Sequence, residues 1–190
     1  MDLEALKGEL GKKTVSEVVN KYIFRNNPIC FSGDEILISE LKRALVEHFN
    51  LHIQNIEVVG SAKLGISLSN ESIGRPYNKS SDIDIALVSS ELFDLAWLEL
   101  TKLESISYKL PQKDRDFLIE CLGTISRGYV SPDKLPTISN FSKNWWSIFS
   151  NLSNLKKYEY RKIRGRLFKD WWFAEKYYSI QLNLLKKGGK

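Results

Sequence analysis

The chain has 190 residues, 43% of them hydrophobic and 27% charged, an ordinary composition for a soluble globular fold. That length sets a prior of one domain, and no apolar run reaches the roughly 18 residues a membrane span needs. The formal charge is +5, and it is unevenly placed: residues 156–190 hold eleven Lys and Arg against three Asp and Glu, so the remainder of the chain is net acidic.

In chain order, Thr14-Val-Ser-Glu17 reads as a capping box opening a helix to about Phe24, with Val18, Val19, Tyr22 and Ile23 inward. A second helix starts near Asp34. Ile36, Leu37, Leu41, Leu45 and Phe49 recur at helical spacing, and Asn50 ends it. Ile56–Val59 is a short buried strand running into Gly60-Ser61, and residues 62–68 give one or two helical turns. The polar stretch 70–81, with Gly74 and Pro76, is a loop. Ile83–Val88 is a second strand. A serine-capped helix follows over 91–103, turning Leu92, Leu95, Ala96 and Leu100 inward.

Residues 105–140 are punctuated by Gly123, Gly128, Pro132 and Pro136, and the pattern over 117–125 fits helix and strand alike. A helix over 143–155 places Trp145, Ile148, Phe149, Leu152 and Leu155 on one face. Tyr160, Ile163, Leu167, Trp171, Ala174 and Tyr178 fit one continuous helix, but Gly165 and the potential cap Asp170 favour a strand over 158–168 and then a helix over 171–187, closed by Gly188-Gly189.

Cys30 and Cys121 are isolated and read as reduced core thiols. His48 and His52 have no third ligand nearby, which argues against metal. The start of the sequence lacks the layout of a signal peptide, so the expected location is the cytoplasm, with no membrane partner.

The chemistry concentrates in Val58-Val-Gly-Ser-Ala-Lys-Leu-Gly65 and Ser81-Asp-Ile-Asp-Ile-Ala86. Side chains at i and i+2 of a strand share a face. Asp82 and Asp84 therefore project together while Ile83 and Ile85 enter the core. Adjacent carboxylates repel, and a hard cation that bridges substrate phosphates is the usual reason to hold them together. Gly60 permits close backbone approach and Ser61 adds a hydroxyl at the start of a helical turn. Lys63, Arg75 and Lys79 are nearby cations for outer phosphates, and Ser81 adjoins the acids.

This combination resembles the DNA polymerase β-type nucleotidyltransferase superfamily: strand, Gly-Ser, short helix, then Asp-x-Asp on the next strand. The resemblance spans residues 56–88. It implies an α+β fold, a small mixed sheet flanked by helices, with the core at about 34–104 and a helical, basic C-terminal elaboration at about 141–187. It implies that Gly60 and Ser61 hold the triphosphate and that Asp82 and Asp84 are catalytic ligands of Mg²⁺ or Mn²⁺; Lys63 and Ser81, beside these residues, are expected to bind nucleotide with them. The reaction would move a nucleoside monophosphate from an NTP to a hydroxyl. The acceptor is open among RNA, another nucleotide, a protein and a small molecule, and the basic, aromatic C-terminal segment favours the first two slightly.

Two features depart from the family. The step from Ser61 to Asp82 is long. A third carboxylate is also missing: Glu159, Asp114, Asp116, Glu120, Glu91 and Asp94 are the available acids, and none has a convincing position. An inactive nucleotide- or RNA-binding module therefore stands as one alternative. A protein-interaction subunit, working with a partner protein or as a homo-oligomer through Trp145, Trp146, Trp171 and Trp172, is another.

Overall fold

The computed structural model describes residues 1–136 and 138–187. The helices among them are α1 (Leu3–Lys12), α2 (Val15–Val18), α3 (Glu35–Phe49), α4 (Ser61–Leu64), α5 (Ser90–Ser105), α6 (Gln112–Ile125), α7 (Asn140–Ser153) and α8 (Trp171–Lys187). The strands are β1 (Ile56–Val59), β2 (Ile83–Val88), β3 (Tyr129–Val130) and β4 (Ile163–Phe168). They form one mixed sheet in the order β1-β2-β4-β3, with β2 and β4 parallel and both outer pairs antiparallel. The mixed α+β class matches the sequence reading. The sheet, however, extends beyond residues 34–104: β4, from the segment expected as a helical elaboration, is one of its two central strands.

Local chemistry sets the boundaries. Thr14 and Glu17 form the capping box, although the helix opens at once into a wider π-type turn over Val19–Phe24. Asp34 caps α3, and Asn50 ends it in the left-handed region. Asp170 accepts from the Phe173 amide at 3.1 Å, fixing the start of α8. The Gly188-Gly189 stop lies outside the described residues. Helix α1 had no counterpart in the sequence reading. The ambiguous pattern at 117–125 is helical, within α6.

Each strand face builds its own core. Ile83, Ile85 and Leu87 of β2, with Ile163 and Leu167 of β4, pack under α3, α5, α6 and α7. On the opposite face, Ala86, Val88 and Phe168 meet Leu6, Leu10, Val18, Val19, Ala174, Tyr178 and Leu182 from α1, α2 and α8. Two side chains expected inside are outside. Ile36 is 75% and Leu95 52% exposed, and their neighbours Ile38 and Phe93 are buried instead. Within the tryptophan pair of α7, Trp145 is buried and Trp146 is exposed.

Gly165 explains how α7 lies so close to the sheet. A Cβ there would stand 2.3 Å from Phe149 Cζ and 2.5 Å from Trp145 Cζ2, both on buried rings. Gly165→Ala is expected to destabilise the fold by about 1–3 kcal/mol through overpacking, read as a lower urea midpoint. Unchanged stability would mean the two rings have room to move.

Candidate active site

A cleft opens at the end of the sheet where β2 begins. Across that row the register sets Val59 beside Asp84 and Asp84 beside Arg164. Asp84, Arg164 and Arg166 occupy alternate positions on the face that α8 covers farther along, so the cleft floor is charged where the rest of that face is apolar. Gly60, Ser61, Asp84, Asp133, Arg164, Arg166 and Tyr177 line a space of about 200 Å³.

Gly60 adopts φ +66°, ψ −149°, a combination almost confined to glycine. A Cβ at this position would stand 3.0 Å from Asp84 Oδ2. The turn after β1 is therefore shaped to bring bare backbone against this carboxylate. Ser61 follows it in the cleft wall.

Asp84 reaches solvent at the cleft floor but is crowded by protein on its other sides. Burial pushes its carboxyl above the ordinary value of 3.8; Arg166 opposes the shift and Asp82 adds to it. No hydrogen bond contributes to that balance. Asp82 lies beside it, with Oδ2 3.7 Å from Arg164 Nη1. Asp84 lines the cleft, whereas Asp82, just before β2, is outside its lining and reaches Arg164 from the edge.

Arg164 also donates from Nη2 to Asp133 Oδ2 at 2.6 Å and from Nε at 3.2 Å. Arg166 donates to the Tyr177 hydroxyl, and its guanidinium lies over the Tyr177 ring at 4.6 Å. The cleft thus holds two carboxylates, Asp84 and Asp133, and two guanidinium groups, with Asp82 at its edge beside Arg164.

Two residues expected to contact nucleotide are elsewhere. Lys63 is buried away from the cleft, donating to Glu57 Oε1 at 2.6 Å and the Phe24 carbonyl at 2.9 Å. The reason is helical geometry: on the short turn of α4, Lys63 points back over β1. Ser81 is also buried, and its hydroxyl accepts from the Asn78 amide at 3.1 Å to hold the loop before β2.

Asp133, Arg164, Arg166 and Tyr177 were not read as site residues. The Arg-x-Arg alternation of β4 carried a signal, since a parallel partner of β2 would turn both arginines toward the acids. Asp133 follows β3 in a short turn, and nothing local in the sequence marks it. None of the acids considered as a third carboxylate lines the cleft: Glu159 pairs with Arg161, Glu120 with Lys134 and Asp94 with Lys169. Asp116 accepts from Gln112.

Among the described residues no group of three or more His, Cys, Asp or Glu side chains is placed to share a metal ion. Two carboxylates suffice for Mg²⁺ when substrate phosphates and water complete the shell. Asp82 and Asp84 fit that role: Asp82 stands just before β2, near enough to add to the upward shift of Asp84, and Asp84 is open to the cleft. No described helix is long and apolar enough to cross a membrane. Comparison with protein-family models, with curated proteins and with solved structures finds no match.

Proposed function

We propose that the cleft binds the triphosphate of a nucleotide with a divalent cation, and that the chain transfers a nucleoside monophosphate from an NTP to a hydroxyl. The observation that carries this is Asp84, an open carboxylate without a hydrogen-bond partner among the described residues, set between the Gly60 turn and Arg164. In this reading Asp82 and Asp84 hold Mg²⁺ or Mn²⁺. A cation bound there supplies Lewis-acid polarisation of the phosphate under attack. Arg164 and Arg166 neutralise non-bridging phosphate oxygens, with Tyr177 orienting Arg166. The Gly60 turn lets phosphate lie against the backbone. As the acceptor oxygen bonds to the α-phosphorus, the bond to the leaving pyrophosphate breaks.

One observation favours a second reading, a binding module without transfer. Arg164, and not a carboxylate, stands beside Asp84 on the neighbouring strand, whereas the resemblance implies a third carboxylate from a neighbouring strand. The one further acid in the cleft, Asp133, is tied to that arginine.

Pyrophosphate release decides between them. The wild type, given each of the four NTPs with Mg²⁺ or Mn²⁺ and total tRNA, is expected to release pyrophosphate, and an Asp82→Ala/Asp84→Ala variant that remains folded is expected to release none. Nucleotide binding without release selects the module. Equal release by both proteins would remove the acids from the chemistry.

A further inference from the structure

The exposed face of α8 carries a second, larger groove. It encloses about 730 Å³ and shares Leu68, Ser69, Tyr177 and Gln181 with the aspartate cleft, so the two run together. Trp172, Lys176, Ile180 and Leu184 follow one another along it at four-residue spacing, all exposed, with Trp172 at 63%. Helix α8 already buries Ala174, Tyr178, Leu182 and Leu185 in the core. This row is therefore a second apolar face, larger than packing requires.

Its charge favours one occupant. Arg127 and Lys176 are exposed in the groove and make no ion pair among the described residues. Glu71 is the one acid in its lining. Aromatic faces between unpaired cations suit unstacked bases joined by phosphates. A protein helix would satisfy the apolar row and leave both cations without a role, and a duplex offers no free base faces. At the junction, Tyr177 takes part in both spaces and holds Arg166. A strand lying in the groove would thus be led toward Asp84.

We infer that this groove binds single-stranded nucleic acid, with bases against Trp172 and phosphates at Arg127 and Lys176. Its strand end would be the acceptor hydroxyl, and only that last step rests on the transfer reading.

The test is fluorescence anisotropy of labelled single-stranded RNA and DNA of about a dozen nucleotides, near the size such grooves take, with no NTP or metal added. The wild type is expected to bind at least one of the two. Trp172→Ala should weaken binding roughly 10-fold, the equivalent of one lost stacking contact. Arg127→Ala/Lys176→Ala should reduce the slope of log affinity against log salt by about 1.4. Trp172 is exposed, so its removal does not threaten folding. No binding of either strand overturns the inference. So does binding that Trp172→Ala leaves unchanged, or a dimer in sedimentation that Trp172→Ala dissolves, which would make the row a self-interface. Mg-NTP binding is titrated separately on the same protein: its loss with oligonucleotide binding intact sinks the transfer reading alone, and the reverse pattern sinks the groove alone.

Discussion

If the cleft transfers nucleotides as proposed, Asp84→Asn is expected to lower pyrophosphate release by roughly 10²–10³-fold, what removing one charge-stabilising group costs, and yet to give a protein more stable than wild type at pH 7. Both results come from one cause. The fold holds Asp84 where its neutral form is preferred: burial outweighs the attraction of Arg166, and the carboxyl lies above its ordinary 3.8. From pH 3.8 up to that raised value, the native state keeps a proton that the unfolded chain has lost. Stability therefore falls as pH rises through this window, and the penalty is complete above it. Asparagine has the shape of the neutral carboxyl and never meets the penalty. In the proposed reading function has the opposite sign, because only the ionised carboxylate would serve a cation. Binding of Mg-NTP should weaken as pH falls through the same raised value. Urea midpoints of the two proteins at pH 4 and pH 7 check the stability half: the gap should be wide at pH 7 and narrow at pH 4. A variant less stable than wild type at pH 7 would show that attraction to the arginines, and not burial, governs Asp84.

An acid kept at a cost in stability suggests why this part of the site was readable in the sequence. Ser81-Asp-Ile-Asp-Ile violates the local rule that a strand between two cores should be apolar, and so does a glycine that interrupts β1 and α4. Such violations are visible residue by residue. The remainder of the site came from long-range pairing. Arg164 meets Asp84 only because β4 lies parallel to β2, a partnership of segments about 80 residues apart in the chain. Asp133 arrives from the turn beyond a two-residue strand, too short to leave a periodic pattern. The helices behaved similarly. Capped ends at Thr14, Asp34 and Asp170 were legible because side chain and amide are neighbours in sequence. Which face of α3 or α5 turned inward was less so: Ile36 and Leu95 fit the helical period but lie on the margin that the neighbouring elements leave uncovered.

Lys63 belongs to the sequence motif but lies outside the cleft, and it supports the largest stability effect expected in the molecule. Its ammonium is almost fully buried, 1% exposed, and is shared between Glu57 Oε1 and the Phe24 carbonyl. Lys42 holds the other Glu57 oxygen at 2.7 Å. One carboxylate thus answers two cations and joins the Val19–Phe24 turn, β1, α3 and α4. Burial pulls Lys63 below its ordinary 10.5 and Glu57 resists that shift. Glu57→Ala leaves Lys63 charged, enclosed and repelled by Lys42, at a cost of about 3–5 kcal/mol, or a melting temperature lower by roughly 6–20 °C. The variant should regain stability as pH rises toward 10.5, since the native state then sheds the Lys63 proton before the unfolded chain does. Replacing both partners, as Glu57→Leu/Lys63→Met, should recover most of the loss, because the one cation left without its partner, Lys42, is 17% exposed where Lys63 is 1%. If Glu57→Ala melts within about 1 °C of wild type, below the shift expected from even 1 kcal/mol, water reaches Lys63 and the buried pair is not a structural tie. If Lys63→Met alone loses nucleotide binding while keeping its stability, Lys63 belongs to the cleft after all.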